Sequence, residues 1–126
     1  MARTKAMLGT GARHESGVAN NIVNIPLAQG CNSATFRAAM ADQLLPALRS
    51  FAQELLIISA GFDAHHLDPL GGLQFTDDDY HWITRELMQV ADTSASGRVV
   101  SVLEGGYSME GLASGTAAHV RALMGR

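Results

Sequence analysis

The stretch Leu55-Leu56-Ile57-Ile58-Ser59-Ala60-Gly61-Phe62-Asp63-Ala64-His65-His66-Leu67-Asp68-Pro69-Leu70-Gly71-Gly72 decides how the rest of the chain is read. Its opening run of bulky apolar residues is too short for a helix and reads as a strand buried on both faces. Behind it come Asp63, His65, His66 and Asp68, side chains of the kind that hold metals or move protons. In open α/β sheets, ligands collect beyond the carboxyl ends of parallel strands, so this loop is a candidate site by position alone. Asp63 and His65 share one face of an extended segment, and a carboxylate with an imidazole is a zinc-type pair. The plainer reading has Asp63 closing the strand-to-loop turn and both histidines in water. Pro69 keeps Asp68 out of the helical region. That aims a ligand carboxylate or, equally, builds an ordinary turn with Gly71 and Gly72.

A second apolar run, Arg98-Val99-Val100-Ser101-Val102-Leu103, ends in Glu104-Gly105-Gly106-Tyr107-Ser108. Two buried strands that both run into glycine-containing polar loops place those loops at one edge of the sheet. Gly105 and Gly106 let the backbone turn tightly or approach a ligand. Tyr107 can there donate a hydrogen bond to a developing oxyanion, or lie on the sheet end as a lid with its hydroxyl in water.

The remaining segments supply helices. Ser33 reads as the N-cap of a helix to about Ala52, with Phe36, Met40, Leu44, Leu48 and Phe51 in one stripe and a kink near Leu45 imposed by Pro46. Thr76, followed by Asp77, Asp78 and Asp79, opens a helix to about Thr93 with Tyr80, Ile83, Leu87 and Val90 inward. A last helix carries Leu112, Thr116, Val120 and Leu123 on one face. Asn21 to Ile25, closed by Pro26, reads as a short strand, and residues 1–20 read as loop. Gly9, Gly11 and Gly17 lack the preceding strand and the ending of a phosphate loop. The expected fold is α/β, a parallel sheet of three strands flanked by three main helices.

The bulk composition narrows the function. At 126 residues the chain makes one domain with a modest core. A hydrophobic share of 47% against 17% charged residues excludes a disordered chain. The net charge of −3 leaves no basic footprint, so no nucleic-acid or membrane-surface partner is expected. Cys31 stands alone, which excludes a disulfide framework and points to a reducing compartment. No apolar run approaches the roughly 18 residues of a membrane span. Met1 to Lys5 has charge but no apolar core behind it, unlike a secretory signal. The expected location is the cytoplasm.

Ser59 to Gly72 together with Leu103 to Tyr107 resembles the histone deacetylase superfamily, on its class II side and among bacterial relatives that include acetylpolyamine amidohydrolases. Gly9-Thr10-Gly11 and Asn20 to Leu27 resemble the segment that precedes these motifs in bacterial members. The resemblance implies an arginase-like α/β fold and a zinc-dependent amidohydrolase that removes acyl groups from lysine side chains or polyamines. By position, Asp68 matches a zinc-ligand aspartate and Tyr107 the tyrosine that hydrogen-bonds the substrate carbonyl. Gly105 and Gly106 match the acyl-lysine channel, and Phe75 falls near its rim. Asp63 and His65 match positions that are not ligands in the family, which leaves them as candidate supports behind the site. In such an enzyme zinc polarises the amide carbonyl and lowers the pKa of its bound water, while the phenol donates to the oxyanion from the other side.

The resemblance also shows what is missing. The family's other two zinc ligands and its paired general-base histidines stand upstream of these motifs, and no such segment is present here. The chain therefore reads as the C-terminal part of a deacetylase, a single partial domain over residues 1–126 and inactive alone. Zn2+ is implied for the complete domain. In the family's sheet, the strand like 21–25 is separated from the one like 55–60 by strands that are absent here, and unpaired edges favour association. A homo-oligomer or a complementing chain is therefore expected. Two other readings stand beside this one. The chain can be a non-catalytic packing module that self-associates, or Asp63, His65, His66 and Asp68 can form a metal site of their own.

Overall fold

The computed structural model describes residues 10–126, so the loop reading of residues 1–9, Gly9 included, lies outside the described residues. In chain order the elements are a 3-10 turn (Val18–Asn20) within the segment expected to be loop, α1 (Ser33–Ala39), a π-helical turn (Met40–Leu44), α2 (Leu45–Phe51), β1 (Leu56–Ala60), α3 (Asp77–Ser94), β2 (Val99–Leu103) and α4 (Met109–Leu123). β1 and β2 pair in parallel, from Leu56 opposite Val99 to Ala60 opposite Leu103. Parallel neighbours need a crossover, and α3 supplies it. The fold is α/β, as the alternation of elements implies.

The sheet has two strands among the described residues, not three. Asn21 to Ile25 forms no strand. No neighbouring strand offers it a ladder, and Asn24 instead donates its amide to the Ala12 carbonyl (3.0 Å) and the Glu15 carbonyl (2.9 Å). Ile25 still reaches the core, where it joins Cys31, Phe36, Met40, Phe62, Leu73, Phe75 and Tyr80.

β1 is not buried on both faces. Leu56, with the partly buried Ile58 and Val99, packs against Ala91 and Ala95 at the end of α3. Side chains alternate along a strand, so Ile57 points the other way and is 63% exposed. No described helix covers that side.

The helix expected over 33–52 runs to Phe51, and its irregularity falls at Leu45 as expected, as a π-type turn over Met40–Leu44. Asn32, not Ser33, is the N-cap, and its side chain accepts the Thr35 N–H at 3.1 Å. At the break the Leu45 N–H reaches back to the Met40 carbonyl, a π-type bond, and Pro46 then sits in the first turn of α2 where its missing N–H costs nothing. The wider turn shifts the phase of α2 against that of α1. Leu45 becomes buried and Phe51, placed inward by an unbroken 3.6-residue period, stands in solvent.

α3 begins with a capping box. Asp79 Oδ2 accepts from the Thr76 N–H (2.9 Å) and hydroxyl (3.2 Å). The same carboxylate accepts from Ser33 Oγ at 2.5 Å and Arg37 Nε at 2.7 Å, which ties α1 to the start of α3. α4 buries Gly111, Gly115, Ala118, His119 and Ala122. Of the expected stripe, Leu112 packs against the core and Thr116 and Leu123 are half-buried, while Val120 is exposed and the small residues bring α4 close to its neighbours.

Candidate active-site edge

The loops leaving β1 and β2 are stitched together where the strands end. The Glu104 N–H donates to the Ala60 carbonyl (2.9 Å) and the Phe62 N–H to the Gly105 carbonyl (2.7 Å). Asp68 completes the join. Its Oδ1 accepts the N–H groups of Leu70 (2.9 Å) and Gly71 (3.0 Å), closing the turn that Pro69 opens. Its Oδ2 accepts the Tyr107 N–H at 2.7 Å.

Burial pushes the Asp68 carboxyl up, but the backbone N–H groups of Tyr107, Leu70, Gly71 and Ser108 outweigh it and hold the group below its usual value. Asp68 is thus an ionised carboxylate at neutral pH, 8% exposed and fixed by backbone donors. Tyr107 is anchored through its backbone, and the residue is 62% exposed at the same edge.

The glycines of both loops mark close approaches. A Cβ at Gly71 would lie 1.5 Å from the Asp63 carbonyl oxygen, and one at Gly105 would lie 2.7 Å from Asp63 Oδ2. Asp63 therefore turns its carboxylate under Gly105. Gly106 adopts φ +145°, open to glycine alone, with Phe62 and Leu112 against it.

His65 is buried and fully engaged. Its Nδ1 accepts the Leu67 N–H (3.2 Å), which assigns the proton to Nε2, and Nε2–H donates to Asp77 Oδ1 (3.2 Å). Its carbonyl accepts the Asp68 N–H at 2.8 Å, so His65 stands directly behind the turn that carries Asp68. His66 is exposed, with Nδ1 3.1 Å from the Phe75 carbonyl oxygen. Phe75 lies in the core, not at a rim. Its ring centroid is 4.1 Å from that of Phe36, because its backbone pairs with His65 and turns the side chain inward.

The four polar residues do not converge on a shared point. Among the described residues no group of three His, Cys, Asp or Glu side chains is arranged to hold a metal ion. His65 is spent on Leu67 and Asp77, and Asp63 lies under Gly105. A catalytic zinc keeps three protein ligands, and the residues here supply one suitable carboxylate, Asp68. They do not make a zinc site by themselves.

Sequence reasoning missed one buried polar chain beneath this edge. His119 Nδ1 lies 2.7 Å from Thr84 Oγ1, and its Nε2 lies 2.9 Å from Ser101 Oγ. The Thr84 hydroxyl donates to the Tyr80 carbonyl, so it must accept from His119 Nδ1–H, and Nε2 then accepts from Ser101. Burial holds the His119 pKa below its usual value. The chain locks β2, α4 and α3 together. Ser101 interrupting an apolar strand and His119 between Ala118 and Val120 were its signals in the sequence.

Comparison with known proteins gives a consistent result. The model of the histone deacetylase domain matches residues 5–123. Histone deacetylase 10, chloroplastic, of Oryza sativa subsp. japonica is 39% identical over 120 residues, covering 93% of this chain and 27% of that protein. A histone deacetylase-like amidohydrolase of Pseudomonas aeruginosa is 38% identical over 86 residues, covering 68% of this chain and 23% of that protein. The crystal structure of the HDA15 HD domain superposes with a TM-score of 0.84 at 33% identity, over 94% of this chain and 33% of that one. The chain therefore spans between 23% and 33% of these proteins.

Proposed function

The chain belongs to the histone deacetylase family, and from that premise we propose that it is the C-terminal part of a zinc-dependent deacetylase acting on the acyl-amide bond of acetyl-lysine or acetylpolyamine. Alone, the 126-residue chain is inactive. The observation that carries this reading is the 2.7 Å hydrogen bond from the Tyr107 N–H to Asp68 Oδ2. It ties the backbone of Tyr107, whose side chain is exposed, to an ionised carboxylate on one sheet edge.

Asp68 is the ligand this chain would bring to Zn2+, and its ionised state suits a cation. The other two ligands of a catalytic zinc belong to polypeptide beyond this chain. Tyr107 acts through its own hydroxyl, which donates to the acyl carbonyl oxygen and binds more strongly as negative charge gathers there. Gly105 and Gly106 leave the backbone beside Tyr107 free of side chains, which suits a narrow acyl channel. Asp63 supports the Gly105 loop, and His65 supports the Asp68 turn. No described helix is long and apolar enough to cross a membrane. The free, buried thiol of Cys31 supports residence in the reducing cytoplasm.

The test is turnover of an acetyl-lysine peptide and an acetylpolyamine by the purified chain, with zinc and then with chelator. The expected result is no turnover above buffer. Chelator-sensitive turnover that collapses in Tyr107→Phe would show a complete site and overturn the claim that the chain is inactive alone.

A further inference from the structure

Tyr107 stands in a short connection with few side chains to seat it. Between the end of β2 at Leu103 and the start of α4 at Met109 lie Glu104, Gly105, Gly106, Tyr107 and Ser108. The two residues before Tyr107 have no side chain to pack. The helix behind it is little better supplied. The residues that α4 buries are Gly111, Gly115, Ala118, His119 and Ala122, so among them only His119 has a side chain larger than a methyl group. Small residues allow close approach but give no ridge to fix how far a helix slides or turns.

His119 supplies that fix through directed bonds. Its Nδ1–H donates to Thr84 Oγ1 on α3 (2.7 Å), and its Nε2 accepts from Ser101 Oγ on β2 (2.9 Å). The Ser101 bond joins the two arms, β2 and α4, that carry the Tyr107 connection, and the Thr84 bond ties both to α3. Phe62 stands between this link and the connection. Its ring meets that of His119 edge-on, with centroids 5.9 Å apart, and a Cβ on Gly115 would lie 3.0 Å from Phe62 Cδ1. A Cβ on Gly106 would lie 3.2 Å from Phe62 Cβ, and the Phe62 N–H donates to the Gly105 carbonyl at 2.7 Å. The backbone just before Tyr107 therefore rests on Phe62, and Phe62 on His119. A leucine in place of His119 would fill the space without burying polar atoms. What the bonds add is a single arrangement, because a fully satisfied buried network rigidifies its surroundings. Burial also keeps the imidazole neutral at neutral pH, the form that serves both hydroxyls.

We propose that His119 is a positioning residue for Tyr107, setting through Ser101, Thr84 and Phe62 where the β2–α4 connection holds the phenol. The proposal rests on the reading of Tyr107 as the donor to the acyl carbonyl. His119 acts through the backbone and not on the substrate.

Hydrogen exchange of single amides in the 126-residue chain tests this without zinc or substrate. The Tyr107 N–H, bonded to Asp68, and the Phe62 N–H, bonded to Gly105, report on the connection. The Leu56 N–H, bonded to Arg98, and the Ala95 N–H, bonded to Ala91, report on the opposite end of the sheet and of α3. His119→Leu should speed exchange of the first pair about tenfold more than that of the second. Should that variant not fold, Ser101→Ala removes one hydroxyl from a half-buried position and should give the same pattern, while Ser101→Thr should restore the parent rates. Equal acceleration of both pairs would reduce His119 to a support of the whole fold and overturn the proposal, as would no acceleration or no rescue by threonine. The second readout is acetyl-lysine turnover by an HDA15 domain carrying this chain in place of its matching segment. There Ser101→Ala should lower kcat about tenfold at unchanged KM, and lower it no further once Tyr107 is replaced by phenylalanine. A loss of the same size with and without the Tyr107 hydroxyl would overturn the proposal. A parent replacement domain without any turnover would count against the deacetylase reading alone, and the exchange rates would still decide this one.

Discussion

Asp68 and Asp79 are both buried carboxylates, stabilised by different partners. Asp68 is held by backbone N–H groups and aims at an open edge. Asp79 is enclosed by Ser33, Thr76 and Arg37 and serves the packing of α1 on α3. Burial alone would raise the Asp79 pKa, but Ser33, Thr76 and Arg37 outweigh burial and hold it below the usual carboxylate value. Its ionised form therefore favours the folded state. That contribution is complete above the unfolded pKa of 3.8 and is lost as pH falls through the lower folded value. Asp79→Ala should cost about 2–3 kcal/mol in urea unfolding at neutral pH, since it leaves the Ser33 hydroxyl and the Thr76 N–H without their buried acceptor. Asp79→Asn should flatten the acid limb of stability. Tyr107→Phe is the contrasting case. It keeps the backbone N–H that Asp68 needs, so stability should stay within about 0.5 kcal/mol. In a completed deacetylase domain, turnover by the same variant should fall about 10²–10³-fold.

At the scale of elements, close backbone approach governs more than helix or strand preference does. Gly111 lies in the first turn of α4, where alanine is ordinarily the better helix former by about 1 kcal/mol. A Cβ there would stand 2.7 Å from His65 Nδ1, with the ring pinned by Leu67 and Asp77. Gly111→Ala should therefore destabilise by about 1–3 kcal/mol, read as a lower urea midpoint with an unchanged slope. A more stable variant would show that α4 does not rest on His65 in solution. The same principle explains which elements were legible in the sequence. β1, β2 and α3 follow from apolar runs and an acidic cap, because those signals are local. The face of α4 was legible only in part, at Leu112, because its most buried residues are small and hydrophobic periodicity undercounts glycine, alanine and histidine. The π-type turn at Met40–Leu44 was invisible to a pattern of fixed period, so the inward stripe was carried too far, to Phe51.

The whole molecule is an α/β layer with helices on one side, and this explains what the sequence could and could not disclose. Strand 55–60 has an apolar composition that does not distinguish a strand covered on both faces from one covered on a single face, and Ile57 stands exposed. Asn21 to Ile25 forms no strand, having no described strand to pair with. The edge carrying Asp68 and Tyr107 was legible, because two strand ends with glycine loops have one geometric solution. The roles of Asp63 and His65 were not, since only coordinates show one under Gly105 and the other behind the Asp68 turn. The central claim is that this chain carries one functional part of a deacetylase site. It is tested most directly by acetyl-lysine turnover of an HDA15 domain in which this chain replaces the matching segment. The expected result is turnover that chelator abolishes and that Tyr107→Phe lowers about 10²–10³-fold. A folded, zinc-loaded replacement domain that turns over no acetyl-lysine, or one indifferent to Tyr107→Phe, would contradict it.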